Sequence, residues 1–136
     1  MTVLAFYCGA GNWRDAVIRQ VTGSRFSHVE LVGPNGQCIS ASKRDGNQVR
    51  QKRIDFKAGH WAFLHTSHDP ARTWAISEQY IGHPYDTLGA VMSGLGVSRH
   101  VRGAWFCSEL IAHSLGLAQP HKYHPGLLWA ELTASA

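Results

Sequence analysis

The sequence predicts an α+β domain in which a small antiparallel sheet packs against a helix that carries a cysteine. Three observations point there. The N-terminal half breaks into short apolar or alternating runs separated by Gly, Pro and Asn, which is strand-and-turn patterning. The later part reads as helices bounded by Gly or opened by Pro. Between them, "RFSHVELVGPNGQCISAS" keeps its apolar residues on one face at only one hairpin loop length.

"TVLAFY" is long and apolar enough for a first strand, which the glycines of "CGAGN" end. In "NWRDAVIRQVTG" Trp13, Val17, Ile18 and Val21 recur near helical spacing, Asn12 is a suitable N-cap and Gly23 a suitable stop. In the hairpin, a three-residue loop Pro34-Asn35-Gly36 pairs Leu31 with Ile39 and Val29 with Ala41. Pro presets this turn, Asn tolerates its second position and Gly supplies a left-handed residue. The opposite face then carries His28 and Glu30 on one strand and Cys38, Ser40 and Ser42 on the other. "QVRQKRIDF" and "HWAFLHTS" supply further strands. "PARTWAISEQYIG" supplies a helix with Trp74, Glu78 and Ile81 at compatible spacing. "YDTLGAVMSGLG" and "FCSELIAHSLG" are two more helices, and Pro125 opens a short last one.

With 136 residues the chain is expected to form a single domain over 1–136, since one core usually serves about 100–200 residues. An apolar share of 44% with 16% charged residues is that of a globular protein, not a disordered one. The opening has no basic stretch leading into a long apolar core. No run approaches the roughly 18 apolar residues of a membrane span, so a cytoplasmic protein without a transmembrane segment is expected. Three cysteines without CxxC spacing argue against a disulfide framework or structural zinc. The net charge of +4 comes largely from "SKRDGNQVRQKR", read as a solvated hairpin or loop. It has neither the aromatics nor the recognition helix that nucleic-acid binding would need.

Cys107 stands where "AWFCSELIAHSLG" turns into a helix with Leu110, Ile111, Ser114 and Leu115 as its inward stripe. A cysteine beside apolar residues can be a small core filler. It can equally be a nucleophile, because a helix N-terminus favours thiolate and its N–H groups can hold an oxyanion. Nucleophilic catalysis needs a base. Of the nine histidines, His28 is best placed, at a strand end on a polar face.

"SRFSHVELV" followed much later by "WFCSELIAHSLGL" resembles the circularly permuted branch of NlpC-type papain-like cysteine hydrolases, which includes lecithin retinol acyltransferase-like proteins. In that branch the histidine strand precedes the cysteine helix. "IRQVTGSRFSHVELV" is similar to the family's helix leading into the histidine strand, and "GHPYDTLG" to its segment before the cysteine. Small phage-encoded members share such "SHVEL", "YD..G" and "CSE" elements. The resemblance implies a permuted papain-like fold, with Cys107 as nucleophile and His28 as general base and then acid. Relatives place a His, Glu, Asn or Asp about a dozen residues after that histidine, where this chain has Ser40. Glu30, two residues along the same strand, is the electrostatic alternative; otherwise it is an edge carboxylate facing water. Tyr7, Trp13, Tyr85 and Trp105 are candidates to line the substrate groove, and Asp86 is a turn or N-cap residue.

The expected activity is that of a thiol peptidase or amidase acting on a peptide, a peptidoglycan fragment or another acyl substrate, without metal or other cofactor. His60, His65, His68, His121 and His124 show no strong ligand spacing. Thioester or lipid acyl chemistry is an alternative within the class. A non-catalytic binding or virion-associated module is the alternative outside it, favoured by Ser40.

Overall fold

The alternation of apolar and polar residues in the N-terminal half builds β1 (Thr2–Tyr7), β2 (His28–Val32), β3 (Gln37–Ser42), β4 (Gln48–Arg53) and β5 (Trp61–Thr66). Among the described residues, helices run over α1 (Trp13–Thr22), α2 (Pro70–Glu78), α3 (Cys107–Ser114) and α4 (Pro125–Ala134). The computed structural model describes residues 1–87, 90, 95 and 103–134. The strands form one antiparallel sheet in the order β4-β3-β2-β1-β5, which makes β2 the central strand. This is an α+β architecture with a five-stranded antiparallel sheet.

The β2–β3 hairpin has the register expected of a three-residue loop, with Leu31 opposite Ile39 and Val32 opposite Cys38. Asn35 and Gly36 both take left-handed backbone angles, φ 58° and 74°. Asn and Gly are the residues that tolerate them best. Across the next hairpin Ala41 faces Val49 and Ser40 faces Arg50. Period two then sorts the side chains. Leu4, Phe6, Val29 and Leu31 are buried in one cluster with Cys107 and Ile111; Ile39, Ala41 and Val49 are buried in a second with Leu110 and Trp105. Helix α3 therefore sits over β2 and β3 and is buried nearly all round, His113 excepted. Each fully buried Leu or Ile is worth about 1.5–3 kcal/mol.

Two helices depart from the expected packing. In α1 the predicted caps hold: Asn12 accepts from the N–H groups of Arg14 and Asp15, and Gly23 is left-handed. Its apolar stripe, however, is not a core face, since Trp13 is 68% and Val17 43% exposed. The buried residue of α1 is Asp15, which accepts from the Asn12 N–H at 2.9 Å and the Ser27 hydroxyl at 2.8 Å. Polar contacts, not hydrophobic burial, dock this helix. In α2 the buried positions are Thr73 and Ser77, and Ile81 lies past the helix end and is exposed. The helix expected in "YDTLGAVMSGLG" falls largely outside the described residues. Among the described residues no helix is long and apolar enough to cross a membrane.

Because Asn12 supplies the cap of a helix with little apolar burial, Asn12→Ala is expected to cost about 1 kcal/mol. Thermal unfolding followed by circular dichroism should show a melting temperature about 3–5 °C lower, with the native far-ultraviolet spectrum of the sheet retained below it.

Candidate active site

The chain arrives at Cys107 extended. Trp105 bridges to Tyr85, and Phe106 is the N-cap, with φ −102° and ψ 163°. The Phe106 carbonyl accepts from Leu110 N–H at 3.0 Å, and Glu109 reaches back to the Phe106 N–H at 3.4 Å. Ser108 donates its hydroxyl to the Tyr123 carbonyl at 2.6 Å. These bonds and the buried Leu110 and Ile111 anchor the first turn. Cys107 occupies its first helical position, where backbone N–H groups have no acceptor within the helix.

His28 opens the central strand β2, and its Nε2 donates to the Glu30 carboxylate, two residues along on the same face. Cys107 acts on the same ring by charge from the start of α3. Burial pushes the His28 pKa down, but Cys107 and Glu30 outweigh it and raise it to about 10. Glu30 is itself fully buried. Burial would raise its pKa, yet hydrogen bonds from Arg50, then His28, hold it below the usual carboxylate range.

Arg50 is the functional residue that sequence reasoning missed. Its two terminal nitrogens donate to the two Glu30 oxygens at 2.7 and 2.5 Å, and its Nε to Asp45 at 2.9 Å. Lys52 also reaches Asp45, at 2.7 Å; burial would raise the Asp45 pKa, but the hydrogen bonds and charges of Lys52 and Arg50 together outweigh it and hold the value down at about 2. The signal that could have found Arg50 is register. The β3–β4 turn puts Arg50 opposite Ser40, on the face that carries Glu30. Two strand spacings are about 10 Å, a span that an arginine covers if the residue between is small.

Ser40 is that small residue, and it does not orient His28. Its hydroxyl donates to the Val29 carbonyl at 2.7 Å in a buried site. Nor is Glu30 an edge carboxylate in water. The basic stretch is likewise not simply solvated, since Arg50 and Ser42 are buried. Tyr7 and Tyr85 do line a cavity of about 330 Å³ that reaches His28, with Trp61 beside them. Burial, then the charge of Cys107, pushes the Tyr85 pKa up. Trp13 stands outside this cavity, under the Arg14 guanidinium at 4.9 Å. Trp105 is core, packed on Tyr80 and His113 at 4.7 and 5.1 Å. Asp86 is buried, and its carbonyl accepts from Ala90 N–H at 3.1 Å, the bond an N-cap residue makes. Among the described residues no three His, Cys, Asp or Glu side chains converge as a metal site. No protein-family model and no curated protein sequence matches the chain.

Removing one partner of a buried ion pair strands the other. Arg50→Met should therefore destabilise the fold by about 3–5 kcal/mol in urea titrations, while Glu30→Gln/Arg50→Met should cost less than the sum of the single changes. The pH profile of stability follows from the same groups. His28 has a raised pKa, so its contribution is complete below its ordinary value of 6.5 and is lost as pH climbs through about 10. Glu30 and Asp45 have depressed values; their contributions are complete above the ordinary carboxylate range and are lost in acid, Asp45's down through about 2. Melting temperatures measured across pH should plateau between these limits, and Glu30→Gln should flatten both flanks.

Proposed function

We propose that the chain is a cysteine-dependent hydrolase of the permuted papain-like, NlpC-type class, cleaving an amide or peptide bond. The observation that carries this reading is that a buried carboxylate, Glu30, holds the imidazole of His28 on the central strand, while Cys107 stands at the N-terminus of the helix packed on that strand and acts on the ring by charge. The order of elements supports the class: the histidine strand precedes the cysteine helix, and the helix packs on a small antiparallel sheet.

In this mechanism the Cys107 thiolate attacks the substrate carbonyl carbon. A carbon–sulfur bond forms, and the carbonyl electron pair moves to oxygen, which the Cys107 N–H stabilises. His28 gives its proton to the leaving nitrogen as the carbon–nitrogen bond breaks, leaving a thioester. The neutral imidazole then takes a proton from water, whose oxygen displaces the sulfur and releases the acid. Glu30 keeps the ring's orientation and offsets the imidazolium charge, the task that relatives give to a residue on the next strand. A peptidoglycan stem peptide suits the resemblance to phage-type members, and a cytoplasmic setting belongs to the same reading.

One observation favours a second reading, a non-catalytic module that retains the fold. Cys107 is only 3% exposed, lies in an apolar cluster, and is not among the residues lining the cavity. Limiting iodoacetamide followed by peptide mapping separates the two. Under the hydrolase reading Cys107 labels faster than Cys8 or Cys38. Cys38 should be inert, since burial and Glu30 push its pKa to about 12. Under the second reading Cys107 labels only when the chain unfolds.

His28→Ala and Glu30→Gln are each expected to slow Cys107 labelling about tenfold or more, with folding verified by circular dichroism, while Ser40→Ala has a much smaller effect. Equal effects of Ser40→Ala and Glu30→Gln would remove the carboxylate from the mechanism.

A further inference from the structure

The two edges of the sheet are built differently. At the β4 edge the backbone is already met by a later segment. The Val49 N–H donates to the His83 carbonyl at 2.8 Å, the Val49 carbonyl accepts from the Gly82 N–H at 2.9 Å, and Gln48 bridges to Pro84. The strand "QVRQKR" also carries Arg50, Lys52 and Arg53. Cover and charge of this kind keep an edge from pairing with another chain.

The β5 edge has neither. "WAFLHT" contains no Lys, Arg, Asp, Glu, Pro or Gly over its 6 residues. Which of its backbone groups are free follows from the pairing with β1. The Cys8 N–H donates to the His60 carbonyl at 2.8 Å, so positions 8 and 60 form a hydrogen-bonded pair. Alternation from there turns the N–H and C=O groups of Ala62, Leu64 and Thr66 towards their partners Phe6, Leu4 and Thr2. Those of Trp61, Phe63 and His65 point away from the sheet, and no backbone group among the described residues takes them up. The middle residue, Phe63, is 46% exposed; its ring packs on Phe56 at 5.0 Å, as does that of Trp61.

The spacing of the free groups points to one partner. Trp61, Phe63 and His65 are symmetric about Phe63, so a second β5 laid antiparallel about a two-fold axis at Phe63 matches all of them at once. Phe63 exchanges both hydrogen bonds with Phe63 of the second copy, and Trp61 exchanges both with His65 of the second copy. Every outward N–H then meets an outward C=O. The two Phe63 rings become cross-strand neighbours on one face, a favourable aromatic pair. Charge agrees with this choice: in a chain of net charge +4, two β4 edges would set cations against cations, whereas two β5 edges bring no charged side chain of the strand against another. We infer that the chain forms a symmetric dimer through β5, joining two sheets into one continuous sheet. One strand pair is a small interface, so the dimer is a weak one, with a dissociation constant of about 10–100 µM. The inference is independent of the hydrolase reading.

Sedimentation of the intact chain, in a reductant that prevents disulfide cross-links, tests it from about 5 to about 500 µM. The mean mass should rise from monomer towards dimer across this range. Phe63→Lys sets like charges opposite each other at the two-fold axis and should weaken the dimer about tenfold or more. Phe63→Pro should do the same by removing an outward N–H that no bond within the chain uses, while Phe63→Tyr keeps the dimer. Amide hydrogen exchange on the unaltered chain locates the interface without any substitution: the N–H groups of Trp61, Phe63 and His65 should gain protection as concentration rises, while those of Ala62 and Leu64 are protected throughout. A mass that stays monomeric at about 500 µM would overturn the inference. So would a dimer that forms with the Trp61, Phe63 and His65 amides unprotected, since it would use another surface.

Discussion

Glu30 is a carboxylate with no solvent exposure in the central strand of the sheet, and the arrangement around it follows from the cost of leaving it there unpaired. An isolated buried charge is so unfavourable that it would take up a proton. Here the fork of Arg50 meets both oxygens, and His28 meets one of them as well. The ion pair spans three strands, β2 to β4 across β3, so it ties the register of two hairpins to a single electrostatic contact. A slip of one residue in either hairpin would turn one partner to the other face and leave the carboxylate alone. The pair therefore acts on specificity of pairing as well as on charge.

The same contact connects the sheet to the helix. Arg50 and His28 together keep Glu30 ionised, and Cys107, at the start of α3, acts on the imidazole by charge. Asp45 extends the chain outward, binding Arg50 and Lys52 and closing the turn that displays Lys43 and Arg44. Imidazole, carboxylate, guanidinium and a second carboxylate thus run from the central strand to the rim of the cavity. Alternating charge lets each member offset the burial cost of the next. The turn after β3 and the carboxylate on the central strand are thereby linked through Asp45 and Arg50.

Small residues are what allow it. At position 40 the family pattern suggests a ring-orienting partner, but a longer side chain would stand in the path of Arg50. With Ser40 tied to the Val29 carbonyl, the side chain that meets the His28 ring is Glu30, on the histidine's own strand.

Local chemistry made much of this legible in advance. The period-two alternation in "SHVELV" and "CISAS", the Pro-Asn-Gly turn, the Asn12 cap and the buried stripe Leu110-Ile111-Ser114-Leu115 each depend on residues close in sequence, and those elements stand where the sequence places them. His28, Glu30 and the position of Cys107 at a helix start were readable for the same reason. What only the tertiary structure decided are contacts between residues far apart along the chain. Arg50 sits in a stretch whose composition says solvated loop, and only the joint register of two hairpins brings it to Glu30, 20 residues away. The stripe on α1 is a proper helical pattern, but periodicity says which residues share a face and not whether anything covers that face. Trp13 consequently remains in solvent while a polar residue, Asp15, docks the helix. Periodicity is a property of neighbours in the chain; pairing of charges and coverage of faces are properties of the packed whole.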